Sequence, residues 1–460
     1  MTRHQQIKKM VEQGRDVFFA NSLKTKQQRL NALNRLEQSL RKHENALLDA
    51  LYKDLNKSPY EAFMTEIGLA YGEINYAKKH LGRWMKPKRL GISLAQLPGT
   101  VKLYQDPYGV VLVMSPWNYP VLLNINPVVN ALVAGNTVIL KPSAYSPQTA
   151  AVIEKIMIEA FPDKLVQVVQ GGRAENQALL DMNFDYIFFT GSPNVGKVVM
   201  QKAAVNLTPI TLELGGKSPT IVDPTADIQK TAKRILFGKL LNAGQTCIAP
   251  DHIFAHTSIK EELIDELIQQ SKRIFADPSY VEQAWPKIIS EKHFKRVASL
   301  IEPDYVVHGG QVDPKTHKID FTILDQPPAS SMVMQEEIFG PILPILAYDN
   351  LDVLIKEQQM KPKPLALYLF TKDQATEKKI MQELSFGGGC VNDTVLHISS
   401  TKSPFGGVGN SGMGQYHGKY GFDTFTHKKT ILKKWWAFDV PVRHHPYRKL
   451  REKLPEFLLR

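Results

Sequence analysis

The sequence predicts an α/β protein built on parallel sheets. Short continuous apolar runs alternate with helical patterns from Val110 to Phe189, and the alternation starts afresh after Val222. Strands that are apolar throughout belong to sheets covered on both faces, and helices between them are the crossovers that parallel pairing requires. The chain has 460 residues, long enough for about three domains.

Residues 1 to about 84 are rich in Lys, Glu, Gln, Leu and Ala, and Leu30, Leu33, Leu36 and Leu40 recur at helical spacing; this stretch reads as amphipathic helices. The pattern changes at Lys86-Pro87-Lys88. From there to Pro107, Thr, Val, Leu and Tyr around Leu97-Pro98-Gly99 read as a β-hairpin. The next strands are Val110 to Met114, Thr137 to Leu140, Leu165 to Val169 and Tyr186 to Phe189, with helices through the 120s and from Thr149 to Phe161. In the second half, strands are expected near Ile253–Ala255, Thr322–Leu324, Pro344–Ala347 and Leu367–Phe370. A late edge-like strand among basic residues is expected around 424–434.

Composition narrows the class. Hydrophobic residues at 43% and charged residues at 22% are ordinary for a globular chain and argue against disorder. Cys247 and Cys390 are the only cysteines, too few for a disulfide framework, so a reduced, cytoplasmic setting is expected. The N-terminus has no apolar stretch behind its charges, so no secretory signal is expected. The apolar region from Val110 to Leu140 is broken by Ser115-Pro116-Trp117-Asn118 and by Gly135-Asn136, which argues against a spanning helix. Net charge is +12, of which +7 falls between Lys428 and Arg460. That concentration reads as a basic tail. It is best explained as a solvated segment, with contact to a partner subunit or an anionic membrane as the rival. No zinc-ligand spacing or aromatic-basic platform supports nucleic-acid binding, and no metal site is expected.

Four segments carry chemistry-bearing residues. Gly191-Ser192-Pro193 follows a strand and opens a helix, with Gly196 one turn on; free backbone N–H groups at such a turn suit a phosphate. Lys141 ends a strand and is stopped by Pro142, at the sheet edge where such folds bind ligands. Glu213 lies between Leu212 and Leu214, ahead of Gly215-Gly216. Burial there would raise its pKa towards that of a working base, whereas a strand-end pair with Lys217 is the plainer reading. Cys247 ends Asn242-Ala-Gly-Gln-Thr-Cys, where Gly244 lets the backbone approach whatever the thiol attacks. Cys390 has no base beside it in sequence and reads as structural.

Taken with Met114-Ser-Pro-Trp-Asn-Tyr-Pro120, Gln335-Glu-Glu-Ile-Phe-Gly-Pro341 and Ser403-Pro-Phe-Gly-Gly407, these segments resemble the aldehyde dehydrogenase superfamily, over about residues 10 to 435. The spacing of Leu212-Glu-Leu-Gly-Gly-Lys217 from Cys247 is specific to the superfamily, and the Pro116-Trp-Asn-Tyr-Pro120 wording, with little sequence ahead of the first motif, is similar to its shorter, class 3-like branch. The resemblance implies an aldehyde dehydrogenase-like fold. A Rossmann-like cofactor domain would take residues 1–85 and 106–213, and an α/β catalytic domain 214–395. A small β oligomerisation arm would use 86–105 and 396–435, followed by the basic tail 436–460. It implies a homodimer.

It also implies roles. Cys247 would be the nucleophile, Glu213 the general base and Asn118 an oxyanion donor alongside the Cys247 N–H. Glu337 would hold the nicotinamide ribose with Phe339 beside the ring, Lys141 the adenine ribose, and Gly191, Ser192 and Gly196 the phosphate-facing turn. Trp117, Tyr119 and Phe405 would form an apolar entrance for aromatic or medium- to long-chain aliphatic aldehydes. NAD is the expected cofactor. Many relatives carry a glutamate after Lys-Pro-Ser where this chain has Ala144; losing a carboxylate that would repel a 2′-phosphate extends the expectation to NADP. A CoA-acylating enzyme and a catalytically silent relative are the competing readings. Glu213 argues against the first, and the joint presence of Cys247, Glu213 and Asn118 against the second.

Overall fold

The computed structural model describes residues 2–437 and 444–446, so most of the expected basic tail lies outside the described residues. The N-terminal stretch is helical, as expected. Thr2 and Thr25 cap the helices Arg3–Phe19 and Lys26–Lys42, each answered by a glutamine three residues on. Leu33, Leu36 and Leu40 are buried.

A six-stranded sheet runs in the spatial order Gly412–Met413, Ile210–Leu214, Tyr186–Gly191, Val110–Met114, Thr137–Lys141, Val166–Val168. Its five long-established neighbours pair in parallel, and only Gly412–Met413 is antiparallel. From Val110–Met114 the chain steps outward twice, then returns to lay Tyr186–Gly191 on the other flank. The strand order therefore reverses between these two strands, which opens a crevice at their carboxyl ends. The loop bearing Trp117 and Asn118 leaves one side of that crevice, and the Ser192 turn leaves the other. The helix Leu122–Ala134 is buried along its whole length, and of the asparagines among its apolar residues, Asn124 and Asn130 turn their amides back onto the Pro120 and Asn126 carbonyls.

A seven-stranded sheet has the order Val306–His308, Thr322–Asp325, Ile342–Tyr348, His252–His256, Pro219–Val222, Ala366–Phe370, Gly388–Val391. It is parallel apart from the first strand. Cys247 precedes His252–His256, and Glu337 precedes Ile342–Tyr348. The functional residues thus come from the carboxyl ends of one sheet and the amino ends of the other.

The expected hairpin and late strand form one antiparallel sheet, with Gly99–Pro107 between Lys88–Leu90 and Thr426–Lys434. Pairing runs without a break from Thr426 opposite Pro107 to Lys434 opposite Gly99. The middle strand runs to Pro107, where the sequence pattern ends the hairpin.

Candidate active site

Cys247 sits just beyond a turn that local propensity disfavours. After the helix Ile228–Leu240, Asn242, Ala243 and Gly244 all adopt left-handed φ angles of 53°, 50° and 74°. Glycine and asparagine tolerate this conformation, but alanine does not do so readily, so the surroundings must hold it. Glu61 accepts the Asn242 N–H at 2.6 Å, and the Asn242 amide donates to the Asn118 carbonyl at 2.8 Å. The Gln245 side chain bonds the Asn242 and Lys287 carbonyls and accepts the Ile289 N–H. A Cβ at Gly244 would lie 2.2 Å from the Gly340 carbonyl oxygen, so glycine is also required by this close approach.

Asn118 is buried, and its Nδ2 donates to the Gln245 carbonyl at 3.0 Å. This bond uses one of the two Nδ2 hydrogens and fixes the plane of the amide, leaving the other to aim elsewhere. The neighbouring Tyr119 hydroxyl meets Thr246 Oγ1 at 2.6 Å. The Asn118 loop and the Cys247 loop are therefore joined at two consecutive positions.

Cys247, Glu213, Tyr119, Leu123, Phe405 and Tyr416 line one cavity of about 180 Å³, with Met64, Leu69, Phe237 and Leu241 among its other lining residues. Glu213 is 3% exposed, and neither of its carboxylate oxygens has a hydrogen-bond partner. Burial pushes its pKa well above the ordinary carboxylate range. The pair with Lys217 does not form. Lys217 instead meets Asp251 at 2.6 Å and donates to the Val333 and Glu336 carbonyls. Burial alone would raise the Asp251 carboxyl, but Lys217 and His252 outweigh it and hold it far below its usual range. The Cys247 thiol is pushed up to about 12, first by burial and then by the charges of Glu337 and Glu213.

A larger groove of about 870 Å³ lies beside this cavity, lined by Pro193, Asn194, Lys197, Gly215, Gly216 and Glu337 among others. Leu214 borders both spaces. Ser192 caps the helix Pro193–Val205 and remains exposed. Glu337 Oε1 is buried without a partner, and burial raises its carboxyl to about 8. A Cβ at Gly215 would lie 2.3 Å from that carboxylate, so the glycine lets Glu337 approach the backbone. Phe339 adopts a φ of 49°, and Arg296 steadies its loop by donating to the Glu337 and Ile338 carbonyls.

Asn118, Phe339, Gly191 and Ser192 border neither space directly, and three more expected residues fall in other surroundings. Trp117 lines neither space; its ring packs edge-on against Phe339 at 5.5 Å and lies tilted 5.1 Å from His293, so it supports the Phe339 loop and is no part of the cavity wall. Gly196 is buried, and a Cβ there would lie 2.8 Å from Leu214 Cδ2; it faces inward and lets the helix settle on the Glu213 strand. Lys141 is 3% exposed, with Nζ donating to the Pro142 carbonyl at 2.7 Å, and burial lowers it to about 8. Cys390, read as structural, lies 3.6 Å from His397 Nδ1.

Sequence reasoning missed Lys57, Glu61, Glu66, Asp251 and Arg296. The first three lie in a charged helical stretch that reads as a solvated face, and nothing in their spacing marks them as buried.

The aldehyde dehydrogenase family profile matches residues 1–431. The chain is 45% identical over 434 residues to 4,4'-diaponeurosporen-aldehyde dehydrogenase of Staphylococcus aureus, covering 94% of this chain and 95% of the relative. It is 42% identical over 422 residues to human aldehyde dehydrogenase family 3 member B1, covering 91% and 89%. A solved structure described as the substrate-bound state of Staphylococcus aureus AldH superposes with a TM-score of 0.95 at 43% identity, covering 98% of this chain and 99% of that one. The NAD+ complex of Mycobacterium tuberculosis aldehyde dehydrogenase superposes at 0.84 with 27% identity, covering 96% and 92%. With the thiol, the unpartnered carboxylate and the adjoining groove in the places described, the chain belongs to the aldehyde dehydrogenase family, in its class 3 branch: it is an oxidoreductase that acts on aldehydes with NAD or NADP.

Proposed function

We propose that this enzyme oxidises apolar aldehydes, aromatic or medium- to long-chain, to carboxylic acids by way of a thioester on Cys247. The observation that carries this reading is that Glu213, with no partner of its own, lines the same apolar cavity as Cys247. A carboxylate held at that place has water and thioester as its natural objects.

Cys247 Sγ attacks the aldehyde carbon and forms a thiohemiacetal. The free Nδ2 hydrogen of Asn118 and the Cys247 N–H stabilise the developing oxyanion. A nicotinamide cofactor, which Glu337 and the Ser192 turn would hold in the adjoining groove, would supply the hydride acceptor, and loss of hydride from the adduct would leave a thioester on Cys247. Glu213 then takes a proton from water, which attacks the thioester carbonyl and releases the acid.

The groove fits a dinucleotide. Glu337 presents a buried, unpartnered oxygen suited to ribose hydroxyls, the exposed Ser192 turn opens a helix N-terminus suited to phosphate, and Leu214 meets both spaces where hydride must cross. Lys141 would hold the adenine ribose once its Nζ leaves the Pro142 carbonyl. Ala144 is exposed and adds no carboxylate, which supports use of NADP as well as NAD. The Staphylococcus aureus relative is named for 4,4'-diaponeurosporen-aldehyde, in keeping with an apolar substrate.

Hydrolysis rather than acyl transfer is tested by product analysis with and without CoA. Free acid formed at an unchanged rate supports the reading, and acyl-CoA as the main product overturns it.

We also propose a cytoplasmic homodimer joined through the three-stranded sheet, where exposed Ile431 and Leu432 of the last strand and nearby Leu94 and Trp436 outside the strands supply apolar surface. Sedimentation of the wild type against Ile431→Lys tests it. No helix among the described residues is long and apolar enough to cross a membrane.

A further inference from the structure

Lys57 and Glu66 form an ion pair of 2.6 Å in which both side chains are 0% exposed. Neither lines the cavity or the groove. Two charges are costly to bury together unless their remaining hydrogen-bonding capacity is used, and here it is used on the Asn118 loop. Lys57 Nζ donates to the Asn118 carbonyl at 3.3 Å and lies 4.3 Å above the centre of the Tyr119 ring. The second carboxylate oxygen, Glu66 Oε2, accepts the Val121 N–H at 2.7 Å and the Leu122 N–H at 3.3 Å. One buried pair thus grips positions 118, 119, 121 and 122, the turn that delivers Asn118 to Cys247.

We infer that Lys57, anchored by Glu66, is a positioning residue for the oxyanion donor Asn118. The Asn118 amide can point its spare hydrogen at the reacting oxygen only while its own backbone stays in place, and the Asn118 carbonyl is the point of restraint. Asn242 donates to the same carbonyl from the Cys247 side. The carbonyl is therefore a shared post for the donor and nucleophile loops, with Lys57 the charged member. The inference rests on the reading of Asn118 as oxyanion donor.

A double-mutant cycle tests it on the full chain. Replacing both partners, Lys57→Met with Glu66→Leu, removes the charges without leaving either one unpaired. The expected result is a folded enzyme with kcat lowered about tenfold or more, while the KM values for aldehyde and cofactor stay within about twofold. Asn118→Ala alone should lower kcat by about 10²–10³-fold. In the Asn118→Ala background the paired change should then cost less than about twofold, because nothing is left to position. A folded paired variant with wild-type kcat, or an equal loss with and without Asn118, overturns the inference. Should the paired variant fail to fold, the same cycle is run with Lys57→Arg, whose larger head keeps the pairing with Glu66 but displaces the Asn118 carbonyl, and the same criteria apply. Wild-type turnover in Asn118→Ala would instead overturn the oxyanion reading, an outcome separate from failure of the Lys57 variants.

Discussion

Glu213 and Cys247 reach one cavity from two different sheets. The carboxylate comes from the last turn of the strand Ile210–Leu214, and the thiol from the loop ahead of His252–His256. Both have raised proton affinities, and burial is the leading cause in each case. The resting site therefore holds the thiol protonated near neutral pH and lets the carboxyl keep its proton to a higher pH than an ordinary carboxylate does. The nucleophile and the base must each lose a proton before acting, which makes the chemistry sensitive to pH.

Cys247→Ala removes the only thiol in the cavity. Aldehyde oxidation should fall by on the order of 10⁴-fold or more, while cofactor binding, followed by quenching of protein fluorescence, stays within a few-fold. Substantial residual turnover would disprove the nucleophile assignment.

Glu213→Gln keeps the shape of the side chain but cannot take a proton from water. A rapid-quench experiment should record one burst of reduced cofactor, followed by a steady rate lowered about 10²–10⁴-fold. If no burst is seen, Glu213 acts before the thioester forms.

The pH dependence follows from the same group. Only ionised Glu213 is a base, and its pKa lies above the ordinary carboxylate range, so the hydrolysis step should accelerate as pH rises through that raised value and level off beyond it. Single-turnover thioester decay, measured across the pH range, should lose this rise in Glu213→Gln. A flat wild-type profile would count against a titrating Glu213.

Gly244→Ala places a Cβ 2.2 Å from the Gly340 carbonyl oxygen at a φ of 74°. The variant should be less stable by about 1–3 kcal/mol in urea unfolding, with kcat lowered as the Cys247 loop shifts. Unchanged stability and unchanged kcat together would contradict the strained turn described for residues 242–244.

Ala144→Glu adds a carboxylate after Lys141-Pro142-Ser143. It should depress kcat/KM with NADP by about tenfold or more relative to NAD, whereas the wild type should use both within about a thousandfold, roughly 4 kcal/mol. Steady-state kinetics with the two cofactors decide it, and a wild-type NAD preference above that bound defeats the dual-use reading.

Much of this could be read from the chain itself. The parallel strands were legible because burial on both faces leaves continuous apolar runs. Cys247 and Glu213 were legible jointly, through motifs that together resemble the aldehyde dehydrogenase superfamily, since alone each reads as an ordinary helix-end thiol or strand-end glutamate. Residues whose roles depend on packing were not. Trp117 looks like cavity wall until Phe339 and His293 claim its ring, and Gly196 looks phosphate-facing until Leu214 is found against it. Lys217 is four residues from Glu213 in sequence but pairs with Asp251, 34 positions on. Lys57 and Glu66 carry the composition of a wet helix face and are the most deeply buried ion pair among the described residues.

The two-residue strand Gly412–Met413, laid against Leu212 and Glu213, has a consequence for how this protein is made. At about 5–20 residues per second, the ribosome takes roughly 10–40 s to travel from Leu214 to Met413. During that interval the Glu213 strand is an open sheet edge on an emerging polypeptide, although its other neighbours are already available. Every residue assigned to chemistry has been synthesised before Gly412 arrives, yet the edge beside the base is finished only then. The order of synthesis therefore leaves the sheet edge beside Glu213 unpaired until the last tenth or so of the chain has begun to appear, and that nascent edge is the place where chaperone capture or mispairing would compete with its pairing.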